Sequence, residues 1–291
     1  MELSSAEGKL LFQRALAAGH LEGYFPLSQN AVTQTDPRIA PLSTLSVVLN
    51  ALSHDPGQRW KGPWRWNSEE MMLCGNNSKA EGADSGRTAC GHTPEMLDRD
   101  LTVADFSALA RCKGVRAVRH GAGGAGGGEA FRARIREVCG DKEARMQIVI
   151  RVSREGEASS NTNTNNRSSR GVFCTVAGYS EERDMVLVMD VARSSNAPVW
   201  MQLTNLWARM EEAREGKMGG GYVILSSWTT EEPTQAELCP TAVRSWAEHK
   251  HSGRGHFGAV RSSSSQHLET TLRVELGRKG REASSAVPVA A

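Results

Sequence analysis

The sequence predicts an α+β domain in which N-terminal helices pack on an antiparallel sheet. Apolar residues recur at helical intervals in the first half of the chain, whereas β-branched runs appear only from Met146 onward. Two of those runs flank the polar segment Ser180–Asp184, which reads as a hairpin turn. Helices first and antiparallel strands second define this class.

The elements follow in order. Ser4-Ser5-Ala6-Glu7 has capping-box spacing and precedes Leu11, Ala15 and Ala18, which predicts a helix over 5–19. Pro41 opens a second helix carrying Leu42, Leu45, Val48, Leu49 and Leu52 on one face. Proline suits a first helical turn, where its missing N–H would have had no partner. A third helix is expected over 105–112 with Thr102 as its cap, and a fourth over 129–138. The glycine-rich run 121–128 between them reads as a flexible linker, because a phosphate loop would end in Lys-Ser or Lys-Thr. Strands are expected at 146–152, 172–179, 185–191 and 222–227, with a helix carrying Leu203, Leu206, Trp207 and Met210 before the last. The polar run 156–170 reads as a disordered insertion and 240–291 as a disordered tail, leaving a domain over 1–239.

Composition narrows the function classes. The chain has 291 residues, of which 39% are apolar and 23% charged, enough apolar material for a core. A net charge of +2 gives no support to nucleic-acid or membrane-surface binding, which need a concentrated basic face. No apolar run approaches the roughly 20 residues that span a bilayer. No two of the six cysteines have CxxC spacing, which argues against a zinc ribbon or a dithiol redox motif. A cytoplasmic, reducing setting is the expectation.

Three segments carry a resemblance: STLSVVLNAL over 43–52 followed by Asp55-Pro56-Gly57, WKGPWRW over 60–66, and RDMVLVMDVAR over 183–193 preceded by Gly178-Tyr179. Over residues 20–228 the chain resembles phytochelatin synthase, the glutathione γ-glutamylcysteinyltransferase family. The resemblance implies a papain-like cysteine-protease fold. It also implies a reaction in which a cysteine at a helix N-terminus attacks the Cys–Gly amide of glutathione. Glycine leaves, and the γ-Glu-Cys acyl group passes to a second glutathione. Cadmium or zinc ions would act as activators, with glutathione or its metal thiolate as substrate and no tightly bound cofactor. Such chemistry needs a thiolate, a histidine and an orienting carboxylate.

The family frame then assigns positions. The Gln-x-x-x-x-x-Cys-Gly-Leu entrance reads here from Gln34 to Leu42, so Ala40 occupies the nucleophile position and Pro41 that of glycine. Gly-His-Phe-Ser-Pro-Ile-Gly-Gly-Tyr reads as Gly171 to Tyr179, so Val172 occupies the base position. Asp190 keeps the triad acid and Gln34 the oxyanion donor. Arg193 matches the arginine that holds the acyl glutamate, with pairing to Asp190 as its structural alternative. Arg154 stands near a basic substrate-binding position. Cys74 and Cys112 match family cysteines, weak candidates for metal, and ordinary structural thiols are their alternative.

Cys174 should share a face with Val172 and is the candidate substitute nucleophile, against a plain buried residue. Gly255-His256-Phe257 repeats family letters within the tail and reads as coincidence. His249 and His251 read as solvated tail residues. The tryptophans of WKGPWRW read as core and surface-loop packing. Together these positions predict a family member that has lost acyl transfer. The alternative is non-catalytic binding of glutathione or a metal thiolate, or regulation of an active paralogue. A homodimer or paralogue is the partner expected beyond the small molecule.

Overall fold

A computed structural model describes residues 1–73, 94–123, 126–153, 171–213 and 220–227. The expected insertion and tail, together with Cys74, Arg154, His249, His251 and His256, lie outside the described residues. Six helices and six strands follow one another as α1 (Ala6–Ala17), α2 (Tyr24–Gln29), α3 (Ala40–Ala51), α4 (Val103–Cys112), β1 (Arg116–Gly121), α5 (Gly127–Cys139), β2 (Met146–Val152), β3 (Val172–Ser180), β4 (Met185–Met189), β5 (Val199–Gln202), α6 (Leu203–Ala213) and β6 (Gly221–Ser226) among the described residues. The strands form one sheet in the order β1-β6-β2-β3-β4-β5, every neighbouring pair antiparallel. The α+β expectation therefore holds.

Both faces of the sheet are covered, so the central strands are buried almost throughout. Residues of α1 to α4 pack on one face against Val149, Phe173, Ala177, Leu187 and Val223. Residues of α5 and α6 pack on the other against Ile148, Ile150, Cys174, Val176 and Val186. Period-two alternation sorts each strand between the two layers. The alternation slips once, at a bulge in β3 between Val176 and Gly178. There Ala177 and Gly178 both meet the α1–α4 side, and a Cβ on Gly178 would lie 2.1 Å from Leu21 Cδ2.

Local chemistry explains the helix starts. Ser5 caps α1 by accepting the Gly8 N–H at 3.0 Å. In α4, Thr102 Oγ1 accepts the Asp105 N–H at 3.2 Å and Asp105 returns the bond to the Thr102 N–H at 2.8 Å. Arg99 grips the same carboxylate through two nitrogens at 2.7 and 2.8 Å. The Arg99 guanidinium, and then the Thr102 cap, hold the Asp105 carboxyl down at about 2. The folded carboxyl is thus more acidic than in the unfolded chain, where it titrates near ~3.9. The stabilisation it provides is complete above that value and is lost as pH falls through about 2. Asp105→Asn is therefore expected to lower stability by ~1 kcal/mol at neutral pH. That deficit should shrink in acid, as denaturant melts of both proteins between neutrality and pH ~2 will show.

Three elements differ from expectation. The six-residue α2 and the four-residue β5 are too short to show a period. β1 is an edge strand on which Ala117 alone is buried, so it lacks the apolar alternation of a core strand. The glycine run is not a linker throughout. Gly121 ends β1, Gly126 caps α5 with φ +76°, and Gly127 lies so close to Trp207 that a Cβ would come within 2.7 Å of the indole. Close approach of α5 to α6 explains Gly127, and the left-handed backbone explains Gly126.

At the far edge, residues 1–3 pair with β5. Glu2 bridges Val199, and the Met1 amino group donates to the Trp200 carbonyl at 3.0 Å. No helix among the described residues is long and apolar enough to cross a membrane.

Candidate active site

Ala40 begins α3, Val172 begins β3, and Asp190 and Arg193 follow the end of β4. The Gln34 N–H donates to the Val191 carbonyl at 2.9 Å. Arg193 Nη1 donates to the Ala31 carbonyl at 3.5 Å, so segments 31–34 and 190–193 run side by side. A 3-10 turn over Pro37–Ile39 follows, capped by Asp36, whose carboxylate accepts the Arg38 N–H at 2.7 Å. It delivers the chain into α3 with Ala40 as the first helical residue.

One turn later Thr44 Oγ1 donates to the Phe173 carbonyl at 3.1 Å, pinning α3 over the start of β3. Beside it Ser43 Oγ contacts the Ile39 carbonyl at 3.2 Å and binds the Glu69 carboxylate, which also accepts from Thr35 Oγ1 at 3.3 Å. The hydroxyls nearest the helix entrance are thus committed to structure.

Asp190 stands one residue beyond β4, whose Met189 pairs with Thr175. Its two oxygens accept the Ala192 N–H at 3.0 Å and Asn196 Nδ2 at 2.6 Å. In this chain the carboxylate therefore shapes the turn that follows β4. Arg193 is exposed and makes no ion pair with Asp190 among the described residues.

Two readings leave alternatives open, and the structure chooses between them. Val172 and Cys174 do share a face, but it is the face covered by α5 and α6. α3 lies across the sheet, against Phe173 and Ala177. Cys174, only 6% exposed, is therefore a core residue with the sheet between it and Ala40. Cys139 is equally remote, and burial pushes its thiol up to about 12. The second concerns WKGPWRW, whose tryptophans belong to the surface-loop part of that reading, since Trp60 and Trp66 are 39% exposed and Trp64 is 70% exposed.

Cys112 is the last residue of α4, and no group of three or more His, Cys, Asp or Glu side chains suited to a metal occurs among the described residues. Two residues supporting this end of the sheet were missed. Arg151 on β2 is 1% exposed and binds the Asp100 carboxylate, while its Nε donates to the Leu101 carbonyl at 2.8 Å. Asp100 also accepts the Gly171 N–H at 3.3 Å, tying the residue before β3 to the same pair. An arginine inside the apolar run MQIVIRV was the available signal. Glu69 gave none.

The chemistry available here is limited by side-chain type. From Pro37 to Ser46 there is no thiol, and from Gly171 to Ser180 there is no imidazole, so a shift of the family frame by one residue in either direction restores neither. A carboxylate and a helix N-terminus remain.

Comparison with known proteins places this site. The phytochelatin synthase family model matches residues 1–219. The chain is 35% identical over 229 residues to glutathione gamma-glutamylcysteinyltransferase 3 of Lotus japonicus, covering 78% of this chain and 42% of that protein. It is 32% identical over 226 residues to glutathione gamma-glutamylcysteinyltransferase 1 of Arabidopsis thaliana, covering 77% and 41%. Glutathione gamma-glutamylcysteinyltransferase of Schizosaccharomyces pombe is 30% identical over 229 residues, covering 77% and 48%. The chain thus spans less than half the length of these relatives. With the family model running through α3, β3 and β4 alike, the chain belongs to the phytochelatin synthase family.

Proposed function

We propose that this chain is a papain-like, cytoplasmic member of its family that binds glutathione or a metal–glutathione thiolate without transferring the γ-Glu-Cys acyl group. One observation carries the proposal: alanine fills the first helical position of α3, and valine opens the strand beside it. Acyl transfer through a covalent intermediate needs a nucleophile to hold the acyl group and a base to take its proton. In a triad of this kind, loss of the nucleophile alone costs about 10⁶ in turnover, as much as losing every member. Residual catalysis from binding and oxyanion contacts could accelerate attack by water but could form no acyl-enzyme. Among the described residues Asp190 has no imidazole partner, and its present partners make it a structural residue of the β4 turn.

Arg193 supports the binding half of the reading. It is exposed at the same end of the sheet, and a guanidinium can take the glutamyl carboxylate of glutathione in a two-pronged hydrogen bond. The test is direct. Purified protein incubated with glutathione and cadmium or zinc is expected to yield no γ-Glu-Cys-lengthened peptide above the protein-free rate, by chromatography of labelled thiols. Calorimetry should detect binding of glutathione or its cadmium complex, weakened about tenfold or more by Arg193→Ala, as suits loss of a charged hydrogen bond. Sustained peptide synthesis would refute the first half of the proposal, and absence of binding the second.

A further inference from the structure

At the other end of α3 the tryptophan segment forms a surface feature unrelated to acyl-transfer chemistry. Residues 60–64 close a tight turn in which the Trp60 N–H donates to the Trp64 carbonyl at 2.8 Å and the Trp64 N–H to the Lys61 carbonyl at 3.0 Å. Gly62 takes the left-handed conformation the turn requires, at φ +53°. The base of the turn is fixed. Asn67 is buried and exchanges hydrogen bonds with Asn50 at 2.9 and 3.0 Å, and its Nδ2 donates to the His54 carbonyl at 2.8 Å. Asn50 lies ten residues along α3 from Ala40, about 15 Å at the helical rise.

The result is a rigid base presenting three exposed indoles. A side chain that is large, apolar and stiff loses little entropy on being covered, and a cluster of such side chains at the surface marks a docking site. The patch is also basic. Arg59, Lys61 and Arg65 flank the indoles, Lys61 lies 4.6 Å from the centre of the Trp60 ring, residues 59–66 contain no acid, and Asp55 is bonded to Arg65 at 2.6 Å.

The chain itself supplies an occupant. Ser227, the last residue described after β6, donates through Oγ to the Leu52 carbonyl at 3.3 Å. Leu52 lies between Asn50 and His54, the two residues that anchor the tryptophan turn. The segment that follows therefore starts beside the patch. Its sequence over 228–246 complements the patch, with Glu231, Glu232 and Glu237 as acids and Leu238, Val243 and Trp246 as apolar residues.

We infer that residues 228–246 of this same chain dock on the Trp60–Trp66 surface, acid to base and apolar side chain to indole. The inference is independent of whether the opposite end of α3 binds glutathione.

Hydrogen exchange of the full-length protein, read by mass spectrometry over 60–66 and 228–246, tests it. Trp64→Ser is expected to speed exchange in 228–246 by about tenfold, because docking is then lost locally while the exposed position leaves the core intact. Reversing Glu231 and Glu232 to lysine, or Arg59 and Lys61 to glutamate, should do the same. Combining the two reversals should restore slow exchange, which a merely destabilised fold would not do. Unchanged exchange in 228–246 across these variants would overturn the inference. So would a dimer in sedimentation, or binding to phosphatidylserine vesicles, that Trp64→Ser abolishes without altering exchange in 228–246. Either result would assign the patch to a second copy or to a lipid surface.

Discussion

Asp100→Ala is expected to lower stability by about 3–5 kcal/mol, because it removes the carboxylate paired with the buried guanidinium of Arg151. Arg151 is 1% exposed, flanked by Phe173 with its ring centre 5.8 Å from the guanidinium carbon, and roofed by Gly171, where a Cβ would come within 2.5 Å. Burial alone pulls the Arg151 pKa down, and the Asp100 carboxylate is the opposing influence that keeps the charge acceptable. Removing the carboxylate takes away the charge that Arg151 is paired with in its buried position, while the Leu101 carbonyl at 2.8 Å still accepts from Nε. It also frees the Gly171 N–H at the mouth of β3. A domain of ordinary stability, about 5–15 kcal/mol, would lose a large share of it. Removing both charges is a different experiment. Asp100→Leu combined with Arg151→Met should recover most of the loss, since apolar replacement of a whole buried pair is often neutral or better. Urea melts of the single and double variants check both statements. A single variant within about 1 kcal/mol of the parent would show that the pair is not desolvated as its burial implies.

How much of this was legible beforehand depends on what each feature writes into the chain. α4 was readable because Thr102 and Asp105 carry their capping role in residue type and spacing. β2, β3 and the β3–β4 hairpin were readable because a strand buried on both faces becomes an unbroken apolar run. β1 was not, because an edge strand with five exposed or half-exposed positions leaves no such run. The site followed the same logic. Ala40, Val172 and Asp190 could be placed at one end of the sheet from flanking motifs, since register propagates along the chain. Which face Val172 and Cys174 occupy could not, because alternation fixes that two residues agree and leaves open which layer they meet. Nor could the seat of Glu69 on Ser43, which joins residues 26 apart in sequence. The tryptophans left core and surface open for a related reason. An indole reads as core by hydrophobicity, and only the anchoring of Asn67 to Asn50 shows the turn held outward.

Restoring the missing groups should return acyl transfer in a defined order. In Ala40→Cys with Pro41→Gly, the new thiol occupies the first helical position of α3, where the helix dipole favours its thiolate. The second substitution gives back an N–H that proline removes from the helix entrance, a donor suited to a developing oxyanion. This double variant is expected to react with iodoacetamide faster than any thiol of the parent, yet to make little peptide, because the leaving glycine still lacks a proton donor. Adding Val172→His supplies it, and a positioned general acid–base contributes about 10²–10⁴ in rate. Asp190 can orient the ring without releasing Asn196, since each carboxylate oxygen has two lone pairs. Product formation by the triple variant should therefore exceed that of the double variant by at least about 10². The demanding step is rotational. Val172 now packs toward α5 and α6, so the imidazole must swing past the strand end to meet a thiol on the α3 side. If the triple variant melts like its parent and its new thiol alkylates, yet peptide synthesis stays at the level of the double variant, the ring has kept valine's side of the sheet. Loss of activity would then extend beyond the two side chains to the packing of β3 itself.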